Sequence, residues 1–117
     1  MPGYLTTHVL DTAQGSPAQG MRIELYRLDG GDRRLIAETV TNHDGRTDKH
    51  ILPEAEFELG EYELVFHVGP WLDAQGNAAK KPRFLDVVPL RFGMSEQDHY
   101  HVPLLISPYS YSTYRGS

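Results

Sequence analysis

At 117 residues and 13.2 kDa the chain suits a single domain, 1–117, and leaves little room for a second. Hydrophobic residues at 39%, charged residues at 23%, 7 Tyr and 4 Phe exclude a disordered chain, and no apolar run approaches the roughly 20 residues that cross a bilayer as a helix. Lys and Arg number 11 against 16 Asp and Glu, a formal charge of -5, which is the wrong sign for a general binder of phosphate backbones.

The opening Met1-Pro2-Gly3-Tyr4 carries neither a basic nor a long apolar region, so the expected location is cytoplasmic. With 0 Cys there are no disulfides, thiolate nucleophiles or thiolate metal sites. The 6 His are the unusual count, and His is the side chain best suited to moving protons near neutral pH.

Helical periodicity is nearly absent, while alternation of period two recurs in short bursts. Residues 4–10 predict a strand with Leu5, Thr7 and Val9 on one face and Tyr4, Thr6 and His8 on the other. A loop around Gly15-Ser16-Pro17 follows. Met21 to Leu28 and Leu35 to Thr41 pair across the polar Asp29 to Arg33 turn, and Asn42-His43-Asp44-Gly45-Arg46-Thr47 reads as a tight turn, because Asp-Gly supplies positive φ. Glu61 to Val68 predicts a half-buried strand with Tyr62, Leu64, Phe66 and Val68 inward. A loop from Gly69 to Lys81 holds a short helix around Trp71 to Gln75. Phe84 to Phe92 is a strand whose Pro89 implies an edge or a bulge. His99 to Ser107 and Tyr109 to Arg115 close the chain on either side of Pro108. About seven to eight short strands at regular spacing predict an all-β, antiparallel β-sandwich with one short helix.

His99 and His101 lie two apart, so a strand projects both imidazoles to one face and Tyr100 to the other. His8 joins them as a third imidazole on a sheet face, although a single surface His is more often a packing residue than a functional one. Arg46 follows the Asp44-Gly45 turn, where a held cation can clamp a carbonyl or oxyanion; a solvated loop Arg is the plainer alternative. A nucleophile elbow, a phosphate-cradling loop and a metalloprotease helix are all missing from the sequence. Ser16 has no base near it in sequence. His99 and His101 could chelate zinc with His8 or His50, but no Asp, Glu or Cys stands at ligand spacing, so no metal and no cofactor is expected. The Tyr-rich run from Tyr109 to Tyr114 reflects strand propensity rather than base stacking.

Taken in order, Leu5-Thr6-Thr7-His8-Val9-Leu10-Asp11-Thr12, Gly15-Ser16-Pro17-Ala18, Thr41-Asn42-His43-Asp44-Gly45-Arg46, His99-Tyr100-His101-Val102-Pro103-Leu104-Leu105-Ile106-Ser107-Pro108 and the terminal Tyr114-Arg115-Gly116-Ser117 resemble the 5-hydroxyisourate hydrolases, the transthyretin-related enzymes of urate breakdown. The transthyretin carriers share the Gly-Ser-Pro-Ala turn but have Lys, Glu and Thr at the positions of His8, Arg46 and His101. The resemblance therefore implies an enzyme over a carrier of a small aromatic ligand. Phe84-Leu85-Asp86-Val87 departs from the aromatic-aromatic-Pro-Glu of many members, which bears on strand-edge packing only.

The resemblance further implies a transthyretin-like sandwich, assembled as a homotetramer of two dimers with sites in the grooves where dimers meet. It maps catalysis onto His8, Arg46 and His101, and substrate contact onto Tyr114, Arg115, Gly116 and Ser117. Opening the ring of 5-hydroxyisourate at an amide-type bond needs an activated water, a stabilised oxyanion and a proton for the leaving nitrogen. Either His8 or His101 can take the water's proton while the other orients substrate or protonates nitrogen. Arg46 would stabilise the oxyanion through its planar fork of donors, and His99 would play a supporting or structural part. His43, His50 and His67 carry no expected role. A sandwich this small fills its interior with its own side chains, so the site is expected on a sheet face or at an interface.

Overall fold

The computed structural model describes residues 2–116. Eight strands form two four-stranded sheets. The first contains β1 (Tyr4–Asp11), β2 (Ser16–Pro17), β7 (His99–Ser107) and β8 (Ser110–Thr113), in the order β2-β1-β7-β8. The second contains β3 (Arg22–Asp29), β4 (Asp32–Val40), β5 (Gly60–His67) and β6 (Val87–Met94), in the order β4-β3-β5-β6. Among the described residues a single α-helix, α1 (Val68–Ala74), and a 3₁₀ turn at Glu54–Glu56 lie among the connections. The expected β-sandwich with one short helix is borne out.

Alternation places the core. Leu5 and Val9 of β1, Ile23 and Leu25 of β3, Leu64 and Phe66 of β5, and Leu104 and Ile106 of β7 are fully buried between the sheets. Thr7 shares the inward face of β1 and is satisfied there, its hydroxyl donating to the Val102 carbonyl at 2.8 Å. Trp71 and Leu72 of α1 close one end of the sandwich, with the indole N–H donating to the Gln19 carbonyl at 2.6 Å.

Several expectations change in detail. The β1 and β7 strands pair in parallel, while the other ladders are antiparallel. Antiparallel neighbours follow from hairpins, but β1 and β7 come from opposite ends of the chain and no tight turn dictates their direction. Val68 starts α1 instead of ending β5, because the following Gly69-Pro70 suits the first turn of a helix. β5 is buried on both faces: Glu63, on the outward side, is covered by Arg33 and Arg91, whose Nε atoms each donate to its carboxylate at 2.8 Å. β6 begins at Val87, not Phe84, whose ring remains 75% exposed. As Pro89 implies, β6 is an edge strand.

The C-terminal ladder matters for the site. β8 pairs with β7 through Leu104↔Thr113, and beyond the break at Tyr114 and Arg115 the same register resumes as His101↔Gly116. Pro103 lies opposite that break and has no N–H to offer it. The tail is thereby drawn back to His101, with the Gly116 N–H donating to the His101 carbonyl at 2.7 Å.

Candidate active site

Parallel pairing in register sets Thr6 of β1 level with His101 of β7 and Tyr4 level with His99. All four side chains, with His8, therefore stand on the outer face of the first sheet. The Thr6 hydroxyl lies 2.8 Å from His101 Nδ1 and 2.7 Å from His99 Nε2. Tyr4 is stacked between two imidazoles, His99 at 4.1 Å and His50 at 4.4 Å between ring centroids. The His8 and His101 rings are 6.4 Å apart.

Arg46 reaches this face through the Asn42–Arg46 turn. Asn42 Oδ1 accepts from the N–H groups of Asp44 at 2.9 Å and Arg46 at 3.2 Å, while Gly45 adopts φ 76°. A Cβ on Gly45 would run into the Val9 carbonyl, so only glycine fits this close approach. The turn is stitched to β1 by the Val9 N–H bond to the Gly45 carbonyl, 2.8 Å, and by a backbone bridge between His8 and Arg46. His8 Nε2 donates to the Asp44 carbonyl at 2.9 Å.

A carbonyl only accepts, so this bond places the His8 proton on Nε2 and leaves Nδ1 bare in the neutral ring. Burial and then the Arg46 charge hold His8 below the usual imidazole range, outweighing the opposing Asp44 contacts. Burial, Arg46 and the neighbouring His8 and His99 do the same to His101. Both shifts favour the neutral ring, the form that can accept a proton.

Tyr4, Thr6, Arg46, His50, His99 and His101 line an open cleft of about 370 Å³. A larger cavity of about 700 Å³ lies beside α1, between Gln14, Gln19, Trp71 and Gln75, but its walls hold neither imidazole nor guanidinium. The smaller cleft is the chemically equipped one.

The structure brings His8, Arg46 and His101 together, and sets Gly116 against His101, where a Cβ would come within 2.8 Å of the ring. Tyr114 and Arg115 lie elsewhere in the chain's own fold: both border an apolar cavity between β6 and β8. Arg115 spreads over the Tyr100 ring at 4.1 Å and pairs with Asp98 at 3.1 Å. Ser117 lies outside the described residues. Of the other histidines, His67 is bound to Glu24 on the second sheet at 2.7 Å, and His43 is exposed. Sequence reasoning missed Thr6, Tyr4 and His50 as parts of the cleft. The alternation of β1 did place Tyr4 and Thr6 beside His8, but their approach to His99 and His101 depends on the parallel pairing. Among the described residues, no group of three or more His, Cys, Asp or Glu is arranged to hold a metal ion.

A β-sandwich that carries imidazoles and a guanidinium on an outer sheet face, with its interior filled, defines a small all-β protein whose titratable cluster lies at its surface. Residues 5–116 match the model of the HIUase/Transthyretin family. The chain is 63% identical to the 5-hydroxyisourate hydrolase of Mesorhizobium japonicum over 98% of its own length and 93% of that protein. It superposes on the structure of Klebsiella pneumoniae 5-hydroxyisourate hydrolase with a TM-score of 0.81 at 35% identity, covering 98% of this chain and 99% of that one. It also matches a crystal structure of (S)-allantoin synthase, with a TM-score of 0.92 and 48% identity over 99% of this chain but only 44% of that longer one. The chain belongs to the HIUase/Transthyretin family.

Proposed function

We propose that this chain, acting as one domain over 1–117, is an enzyme of urate degradation that hydrolyses 5-hydroxyisourate to 2-oxo-4-hydroxy-4-carboxy-5-ureidoimidazoline. The observation that carries the reading is the convergence of His8, Arg46 and His101 from three distant segments onto one outer sheet face, in a chain 63% identical to a 5-hydroxyisourate hydrolase over nearly its full length.

Water attacks the ring carbonyl directly, since the chain has no Cys and among the described residues no Ser is paired with a base. Each catalytic imidazole has one uncommitted nitrogen: Nδ1 of His8, whose Nε2 is held by Asp44, and Nε2 of His101, whose Nδ1 faces Thr6. One takes the water's proton and the other orients substrate or delivers a proton to the leaving nitrogen. Arg46 stabilises the tetrahedral oxyanion with a fork of donors. The amide C–N bond breaks as nitrogen is protonated, and no cofactor enters the balance.

The C-terminal residues Tyr114, Arg115, Gly116 and Ser117 are assigned to substrate contact. Support comes from the bridge that lays Gly116 on His101; Tyr114 and Arg115 stand off the histidine face within one chain, Arg115 held by Asp98 and Tyr100, and their part in substrate contact rests on the family resemblance.

Assembly as a homotetramer belongs to the same reading. The β6 and β8 edges are unpaired within the chain, and an apolar cavity of about 310 Å³ lined by Leu90, Phe92 and Val102 opens between them. Pairing these edges across two copies would cover both, and apposing two histidine faces would enclose the open cleft. A cytoplasmic location completes the proposal; among the described residues no helix is long and apolar enough to cross a membrane.

The deciding assay follows the absorbance of freshly generated 5-hydroxyisourate. Accelerated decay in the presence of the protein supports the enzyme. Saturable binding of an aromatic ligand with no acceleration would replace it by a carrier. Light scattering on the purified protein tests the tetramer, and cell fractionation tests the location.

A further inference from the structure

Thr6 occupies an unusual position between two imidazoles. Its single hydroxyl is within hydrogen-bond distance of Nδ1 of His101 and Nε2 of His99. A hydroxyl has one proton to donate and lone pairs to accept with, so it can donate to one ring only while accepting from the other. Two wirings satisfy both contacts. In the first, His101 Nδ1–H donates to Thr6 and Thr6 donates to His99 Nε2, leaving His101 Nε2 bare. In the second, His99 Nε2–H donates to Thr6 and Thr6 donates to His101 Nδ1, so that His101 carries its proton on Nε2.

We propose that Thr6 is a positioning residue for hydrolysis that also relays a proton between His101 and His99, making His101 the general base of the reaction. The proposal rests on the hydrolytic reading above. In the resting first wiring, the bare His101 Nε2 takes a proton from the attacking water as its O–H bond breaks and the oxygen bonds to the substrate carbonyl. His101 Nδ1 releases its own proton to the Thr6 oxygen, and the Thr6 hydroxyl proton passes to His99 Nε2. The array has now changed to the second wiring, with the added charge on His99. When the C–N bond breaks, His101 Nε2–H protonates the leaving nitrogen. The proton on His99 returns through Thr6 to His101 Nδ1, and the resting state is restored with no net proton gained.

Two features of the surroundings favour this direction. His101 faces Arg46, His8 and His99, all of which disfavour a lasting positive charge on its ring. Burial and His50 hold His99 below the usual imidazole range as well, but His99 has the Asp98 carboxylate as an opposing negative charge, which His101 lacks. Moving the proton outward separates it from the Arg46 guanidinium. The stack on Tyr4, only 8° from parallel, holds the His99 ring in the plane that keeps Nε2 at the Thr6 hydroxyl.

The test compares Thr6→Ser, which keeps the hydroxyl, with Thr6→Val, which keeps the shape and loses it. Thr6→Ser should retain kcat within about threefold, whereas Thr6→Val should lose roughly 10- to 100-fold in kcat, a share of what a positioned acid or base supplies, with KM nearly unchanged. His99→Phe keeps a ring against Tyr4 without a nitrogen and should lose about the same factor. The Thr6→Val/His99→Phe double variant should be no worse than either alone, because residues acting as one unit are not additive. If Thr6→Val does not fold, His99→Phe and Thr6→Ser carry the comparison.

A readout independent of turnover is the ¹⁵N spectrum of the histidines at neutral pH. His101 should be the Nδ1–H tautomer in the wild type and in Thr6→Ser, and should revert to Nε2–H in Thr6→Val. Wild-type kcat in Thr6→Val, equal loss in the Ser and Val variants, or a resting His101 already protonated on Nε2 would each overturn the relay. A wild-type protein that leaves 5-hydroxyisourate untouched would instead overturn the hydrolytic reading, and the tautomer of His101 would still report on the wiring.

Discussion

His8 and Arg46 face each other across an antiparallel backbone bridge, so the imidazole and the guanidinium are separated by one ladder step although 37 positions separate them in sequence. The same turn that presents Arg46 supplies the Asp44 carbonyl that fixes the His8 tautomer. One short loop thus sets both the charge and the protonation state on this side of the cleft.

His8→Asn and His101→Asn should each leave the sandwich and its assembly intact while lowering turnover by about two to four orders of magnitude, the usual range for general acid–base groups. Steady-state hydrolysis of 5-hydroxyisourate, with light scattering as the control for assembly, checks both. Near-normal rates in both variants would remove the imidazoles from the mechanism.

Arg46→Lys keeps the positive charge and loses the fork of donors. A fall in kcat of about tenfold or more is expected, below the full cost of removing an oxyanion donor because the charge persists. A wild-type rate would show that Arg46 serves by charge alone.

Gly45→Ala tests the turn without touching a reactive group. At φ 76° an alanine costs about 1–2 kcal/mol in backbone conformation alone, and its Cβ would also press on the Val9 carbonyl. Thermal unfolding should shift downward, and turnover should fall together with it as Arg46 and the Asp44 carbonyl are displaced. Unchanged stability and activity would mean that the turn can relax freely.

Burial and Arg46 lower the pKa values of His8 and His101, so activity should rise with pH through an apparent pKa below the ordinary imidazole value and be lost as pH falls through it. The sign for stability follows. Below the unfolded-state pKa the unfolded chain binds protons that the folded rings resist, so these two groups cost stability as pH falls from about 6.5 toward their folded values. Glu24 and Glu63 act lower on the scale: their carboxyls are held below the usual range, Glu24 first by His67 and Glu63 by Arg91 and Arg33 against the opposing effect of burial. The stability they add is present above the unfolded carboxylate pKa and is lost as pH drops through their folded values. A kcat/KM profile between about pH 5 and 8 and a series of melting curves between about pH 2 and 8 separate these two windows.

Exhaustive chelation should leave turnover unchanged, because every step is assigned to imidazole, guanidinium and hydroxyl groups. Activity lost to a chelator and restored by zinc would replace this mechanism by a metal-assisted one.

Short-range chemistry was open to reading along the chain. The alternation in β1 placed Leu5, Thr7 and Val9 inward and Tyr4, Thr6 and His8 outward, and the Asp44-Gly45 pair marked the turn that carries Arg46. The spacing of His99 and His101 put both imidazoles on one face. These features depend on the two-residue period of a strand and on the torsional freedom of glycine, which are local properties.

What surrounds those residues was decided only in three dimensions. Glu63 is buried because Arg33 and Arg91 arrive from neighbouring strands to neutralise it, a fact that no alternation pattern contains. Tyr114 and Arg115 leave the histidine face because Pro103, in the facing strand, interrupts the ladder that Gly116 then resumes. Thr6 meets His99 and His101 because β1 and β7, from opposite ends of the chain, pair in parallel and in register. Strand direction and register are set by packing of both sheets at once. The sequence alone therefore picked out the candidate residues, and the tertiary structure decided which of them meet through the Thr6 hydroxyl.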